Sequence, residues 1–216
     1  MNINKEVKIL SPSERNIKVV MIMDKCIKNS AYSLDDNYSF EYYKDGDREA
    51  WAKIQFAAGQ FQSVKAACDA FDAEFGNNLE LLNERLLFVL DKKGNKIGTT
   101  MMWFMEGYQK NVLRLHWVAV VPKHQGKKLA HAMIKEILEK YQSTERIYLT
   151  TQVKNYIAIS IYYKFGFIPY PFADISRFPY LSLEKIKNAN FENDQLKTAW
   201  SLIKLKISER ESIIYY

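Results

Sequence analysis

Apolar residues recur along this chain with two periods, and the places where the period changes mark its elements. Alternating or continuous apolar runs at residues 17–23, 38–43, 85–90, 97–104, 112–121, 146–151 and 167–170 predict strands. Helical spacing takes over in between. Trp51, Ile54 and Ala58 form one stripe, and Val64, Ala67, Cys68, Phe71 and Phe75 a second, with Gly59 separating two helices. Leu129, Ala130, Met133, Ile134, Ile137, Leu138 and Tyr141 predict a helix over 127–141, and another is expected over 156–165. Asp47 is placed as an N-cap, with Glu49 in the favoured first turn. Residues 91–95 are the turn of a hairpin. Towards the end, 180–185 reads as an edge strand, and 194–207 as an amphipathic helix using Leu196, Trp200, Ile203 and Ile207.

From residue 38 onward the order is strand, helices, three strands, helix, strand, helix, strand. A run of antiparallel strands followed by a β-α-β crossover predicts an α/β (α+β) fold, with a mixed, mostly antiparallel central sheet and helices on both faces. The expected division is an N-terminal extension over 1–37, one domain over 38–171, and a C-terminal extension over 172–216 that packs on or extends it. The 216 residues suffice for one well-buried domain with appendages.

Charge narrows the function classes. The formal net charge is +6, which suits nucleic acid, an anionic surface or a phosphorylated ligand. The lysines and arginines are scattered, without a run of five, so a local phosphate site is the better reading. Cys26 and Cys68 lack CxxC spacing and read as free buried thiols of a reducing compartment. The polar N-terminal stretch lacks an export signal, and the run at 17–23 is too short to span a bilayer. A soluble cytoplasmic protein, monomeric or homodimeric, follows as the expectation. No His/Cys/Asp/Glu cluster has metal-ligand spacing, and neither a Gly-x-Ser-x-Gly elbow nor a P-loop occurs. No metal and no covalent acyl-enzyme are expected.

Two segments carry the candidate chemistry. The first runs from Leu115 through Pro122 to Ala130: an apolar strand, a Pro-terminated turn, a basic Gly-containing loop and a helix start. A helix N-terminus presents free N–H groups and a positive dipole end, which suits a diphosphate, and Lys123, Lys127 and Lys128 strengthen that field. The second is Asn155-Tyr156-Ile157-Ala158 followed by Tyr162, Gly166 and Phe167. Asn155 and Tyr162 are seven residues apart, so they lie within about 20° of one helix face and roughly 10 Å apart along it. Ala158 allows close approach, and Gly166 fits a left-handed helix stop.

Together these segments resemble the GNAT (GCN5-related) N-acetyltransferase superfamily over about residues 38–171. The first matches Gln/Arg-x-x-Gly-x-Gly/Ala through Gln125, Gly126, Lys127, Lys128, Leu129 and Ala130, with Lys128 where Gly is usual. Lys128 is accommodated if its backbone stays helical and its side chain leaves the groove, and Gly126, two residues early, is no substitute. The second matches Asn-x-x-Ala…Tyr-x-x-x-Gly-Phe at every position. The resemblance implies the GNAT fold and acetyl-CoA (coenzyme A) as cofactor. It assigns pantetheine and acetyl contacts to the backbone around Val118, Ala119 and Val120, a pantetheine contact to Asn155, close approach to Ala158, and protonation of the leaving thiolate to Tyr162. The phenol's ordinary pKa of about 10 against about 8.5 for a thiol makes that transfer feasible without strong drive.

Acyl transfer to an amine also needs a base. The strand Val112 to Trp117 has no carboxylate. Period-2 alternation places His116, Val118 and Val120 on one face, which aims His116 at the substrate. A hydrogen-bonded sheet histidine, Glu106 acting through a water, and no dedicated base stand beside that reading. His124 reads as a loop residue and His131 as an exposed helix residue. The acceptor is expected to be a small-molecule primary amine or amino-acid-like compound, with Trp51, Phe56, Phe61, Trp103 and Tyr108 as candidate lining or core residues. The alternatives are an acyl-CoA-binding module without turnover and a basic nucleic-acid-binding protein; only the former accounts for residues 155–167.

Overall fold

In the computed structural model, residues 9–24, 32–105, 112–141 and 146–214 are described, with residues 212–214 by backbone only. Their elements, in chain order, are α1 (Pro12–Arg15), β1 (Lys18–Met23), β2 (Tyr38–Tyr42), α2 (Arg48–Ala57), α3 (Val64–Phe75), α4 (Leu82–Arg85), β3 (Leu86–Asp91), β4 (Lys96–Phe104), β5 (Val112–Val120), α5 (Leu129–Lys140), β6 (Arg146–Gln152), α6 (Tyr156–Lys164), β7 (Ile168–Pro169), α7 (Leu183–Asn188) and α8 (Asp194–Ile214). The chain forms two compact units, residues 28–145 and residues 1–27 with 146–216.

In the 28–145 unit, β2, β3, β4 and β5 pair antiparallel in sequence order. Helices cover both faces. Trp51, Ala52 and Ile54 of α2 and Ala67, Phe71 and Phe75 of α3 pack with Met101, Trp103 and Ala119 of the sheet. Trp51 is fully buried and meets Phe71 and Trp117 edge-on, at 5.2 and 5.3 Å between ring centroids. On the other face α5 crosses so close that a Cβ on Gly98 would come within 3.2 Å of the Met133 side chain. A Cβ there would also come within 2.8 Å of Val89 Cγ1 and 3.0 Å of the Ala119 carbonyl oxygen, so the two flanking strands as well as the helix require a glycine. Gly59, at φ +76°, ends α2 as its sequence position predicts, and Ser63 caps α3 by accepting from the Ala66 N–H.

In the other unit, β1 lies between β6 and β7, antiparallel to both. Its apolar residues Met21, Ile22 and Met23 are buried with Tyr170, Phe178 and Trp200. Arg146 ties the segment after β7 down, donating from Nη1 to the carbonyls of Phe178 and Leu181 at 2.5 and 2.6 Å.

The α/β class, its mostly antiparallel strand pairing and its helices on both sheet faces match the expectation from the apolar pattern. One element does not. Residues 180–185 form no strand: a 3-10 turn over Ile175–Tyr180 leads through a Ser182 cap into α7. Ser182 accepts from the Lys185 N–H, and this local capping decides the segment in favour of helix over a weak β pattern. Among the described residues no helix is long and apolar enough to cross a membrane. Cys68 is a buried free thiol, while Cys26 lies outside the described residues.

Candidate active site

The sheet changes register at the C-terminal half of β5. His116 faces Met101 and Ala119 faces Thr99, so Trp117 and Val118 together oppose the single residue Thr100. This is a β-bulge, and it leaves backbone groups at Val118 outside the regular ladder. Trp117 sits at φ +51°, a left-handed conformation unusual for a bulky residue. Two hydrogen bonds hold it. Its carbonyl accepts from Nε2 of the fully buried Gln55 at 3.1 Å, and its indole Nε1–H donates to Glu74 Oε2 at 2.9 Å.

The bulge overturns the alternation expected for this strand. Partners across a ladder share a face, and neighbours along β4 alternate. His116 and Ala119 therefore lie on the face of Met101 and Thr99, towards α2 and α3, while Val120 lies with Gly98 on the α5 face.

Past β5, Pro122 opens a 3-10 turn and the basic loop leads into α5. Gln125 Nε2 donates to the Val120 carbonyl at 2.9 Å, which clamps the loop onto the strand end. Gly126 adopts φ +79° and Lys128 φ +59°, ψ +14°. The condition placed on Lys128 is thus not met: its backbone is left-handed, the conformation that a glycine takes without steric cost. This gives the family's preference for Gly at that position a physical reason. The N-terminus of α5 has no side-chain cap, so the N–H groups of its first turn are open to a ligand. Lys123, Lys127 and Lys128 are all exposed. These features fit the pyrophosphate of coenzyme A, with backbone donors and a dipole end amid exposed cations.

At the N-cap of α6, Asn155 is half-buried and its Nδ2 donates to Thr151 Oγ1 at 3.2 Å, which orients the side-chain amide. The helix ends in a Schellman motif: Phe167 N–H donates to the Tyr162 carbonyl at 3.2 Å, and Gly166 N–H to the Tyr163 carbonyl at 3.1 Å. Gly166 takes φ +94° as expected. The apolar contact usual to this motif is the edge-on packing of Phe167 against the Tyr162 ring at 5.9 Å. The Tyr-x-x-x-Gly-Phe pattern is therefore one device that seats Tyr162. That side chain is buried, and burial pushes its phenol well above the ordinary value, so it is a protonated group at neutral pH. Asn155, Ala158 and Tyr162 share one face of α6, while Tyr156, Ser160, Tyr163 and Lys164 on the other line a groove shared with α8.

His116 has a partner that the sequence did not reveal. Its Nε2 lies 2.8 Å from Glu74 Oε1 of α3, with the two side chains 11% and 20% exposed. Burial raises the Glu74 pKa, but hydrogen bonding and charge at His116, the Trp117 N–H and the Arg114 charge together bring it below the usual value. A signal existed: Glu74 is seven residues after Ala67 and three after Phe71, so it occupies a position of the apolar stripe. Among the described residues of the proposed acceptor set, only Trp51 and Trp103 are buried core; Phe61 is half-buried and Phe56 is 44% exposed. Glu106 and Tyr108 lie outside the described residues. His124 is half-buried in the 3-10 turn, and His131 is half-buried rather than exposed, its ring 4.5 Å from that of Tyr32. Among the described residues no group of His, Cys, Asp and Glu could hold a metal.

Comparison with known proteins adds family information. The sequence profile of the acetyltransferase (GNAT) family matches residues 38–167. Among solved structures, a GCN5-related N-acetyltransferase from Sphaerobacter thermophilus is similar with a TM-score of 0.55 and 16% identity, over 70% of this chain and 48% of that one. A GNAT-family acetyltransferase from Colwellia psychrerythraea gives 0.52 and 13%, over 70% and 52% respectively. The chain thus spans about half the length of these proteins. No curated protein matches its sequence.

Proposed function

The chain belongs to the GNAT acetyltransferase family, and from that premise we propose that it moves the acetyl group of acetyl-CoA to a primary amine. The acceptor is a small molecule or amino-acid-like compound, and transfer is direct, within a ternary complex. The observation that carries this reading is the uncapped N-terminus of α5 behind a loop with Gly126 and Lys128 both left-handed. We assign residues 38–171 as the catalytic domain, flanked by the two extensions. The protein is assigned to the cytoplasm, as a monomer or homodimer that engages neither nucleic acid nor membrane.

Acetyl-CoA supplies an activated acetyl thioester. The first-turn N–H groups of α5, with Gln125 to Ala130, bind its pyrophosphate, and Asn155 and Ala158 line its pantetheine arm. Backbone N–H groups near the bulge, at Val118 and Val120, donate to the carbonyl oxygen where negative charge develops. Tyr162 carries the proton assigned to the leaving sulfur, and its burial keeps the phenol protonated at neutral pH. His116 takes the proton that the amine releases.

Thermal unfolding with and without CoA tests the first half of this reading. A ligand that binds the folded state at 100 times its Kd adds about 2.7 kcal/mol, so an unmoved midpoint at millimolar CoA refutes it. Thiol release from acetyl-CoA across an amine panel tests the second. Tyr162→Phe should lower turnover about 100-fold or more while sparing the CoA-induced shift; unchanged turnover removes Tyr162 from its role. CoA binding without thiol release for any amine would favour the non-catalytic binding module.

A further inference from the structure

Glu74 departs from the apolar stripe of α3 and is held on both oxygens, by His116 Nε2 at 2.8 Å and Trp117 Nε1 at 2.9 Å. The indole N–H can only donate, so it fixes one lone pair of the carboxylate and with it the carboxylate plane. An ionised carboxylate can only accept, so the His116 nitrogen facing it must carry a proton. We propose that Glu74 is a positioning residue for acetyl transfer, holding His116 as the Nε2–H tautomer so that Nδ1 is the nitrogen that receives the amine proton. This rests on the N-acetyltransferase reading above.

The charges on this face are consistent with that role. Arg114 lies on the same face of β5 as His116 and acts with the Trp117 N–H to favour the ionised form of Glu74. The carboxylate in turn stabilises the imidazolium that forms when Nδ1 accepts a proton. In the transfer, the amine nitrogen forms its bond to the acetyl carbon and the carbon–sulfur bond breaks. The amine's surplus proton goes to Nδ1, and the departing sulfur takes one from Tyr162. Glu74 exchanges no proton and keeps its charge.

Imidazole nitrogen NMR on the protein without acetyl-CoA reads the tautomer directly. With three histidines in the chain, His116→Asn identifies the signal. The expected result is Nε2 protonated and Nδ1 bare in neutral His116. For Glu74→Gln, the titration midpoint of His116 and the acid limb of kcat/KM should both move to lower pH. Its kcat/KM should fall about 10- to 100-fold, with the CoA-induced thermal shift retained. Glu74→Asp, which keeps the charge, should bring the limb back towards wild type. An Nδ1–H tautomer in an active wild-type enzyme, or an acid limb unmoved by Glu74→Gln, overturns the assignment. If the Gln variant does not fold, the wild-type tautomer decides. Absence of thiol release from wild type with every amine would overturn the parent reading, and with it the catalytic part of this one.

Discussion

Lys128 offers the sharpest test of the cofactor loop, because its backbone and its side chain make opposite demands. At φ +59°, ψ +14° it is in the left-handed region, where an L-residue's Cβ crowds the following carbonyl at a cost of about 1–2 kcal/mol. Glycine escapes that cost but loses about 0.4–1 kcal/mol more chain entropy on folding than alanine does. The difference leaves glycine ahead of alanine by about 0.5–1 kcal/mol. Both substitutions remove the same exposed positive charge beside the helix N-terminus, so any charge effect cancels between them. For a chain of this size 1 kcal/mol moves the midpoint by about 2–4 °C. Thermal melts of wild type, Lys128→Gly and Lys128→Ala without ligand should therefore place the Gly variant about 1–4 °C above the Ala variant. Equal midpoints, or a higher one for Ala, would refute the left-handed assignment and return the loop to an ordinary helical turn.

Three further outcomes are expected. Gly166→Ala forces a Cβ into φ +94° and should destabilise by about 1–2 kcal/mol in denaturant melts; because the same motif seats Tyr162, turnover should fall more than stability alone explains. Trp51→Ala opens a cavity at the centre of the α2–α3 core and should cost about 3–5 kcal/mol. Trp51→Phe should cost far less in the same melts, since it also removes an indole N–H that is buried without a hydrogen-bond partner.

The elements that local periodicity controls were legible in the sequence. The α2 and α3 stripes, the Gly59 break, the β3–β4 hairpin and the α6 stop at Gly166 each follow from residues within a few positions of one another. What escaped depends on partners far away in sequence. The ring of His116 is oriented by a carboxylate 42 residues earlier, and the Trp117 carbonyl by an amide 62 residues earlier. Neither spacing leaves a periodic trace. Residues 180–185 failed for the opposite reason: a Ser182 cap outweighed the apolar alternation. Lys128 was misjudged because a lysine does not announce a left-handed backbone, whereas the glycine usual at that position would have.

The bulge in β5 links the two chemical requirements that the strand must meet. A regular strand would satisfy every backbone donor within the ladder and keep His116, Val118 and Val120 on one face. The proposed acyl transfer uses the reverse: a backbone donor left over for a developing oxyanion, and His116, the proposed base, on a different face from the proposed pyrophosphate loop. On that reading one extra residue supplies both. It takes Val118 out of the ladder, and it turns His116 towards α3 while Val120 stays on the α5 face next to the loop that Gln125 clamps. The conformation that permits this, Trp117 at φ +51°, costs about 1–3 kcal/mol, and the residues that hold it are Gln55 and Glu74. Glu74 therefore acts on both ends of the device, fixing the bulge through the indole and His116 through the imidazole. It follows that Gln55→Leu, which removes only the carbonyl contact, should weaken the bulge while leaving the tautomer of His116 intact. Glu74→Gln should disturb both, and the difference between the two variants in imidazole NMR separates strain from positioning.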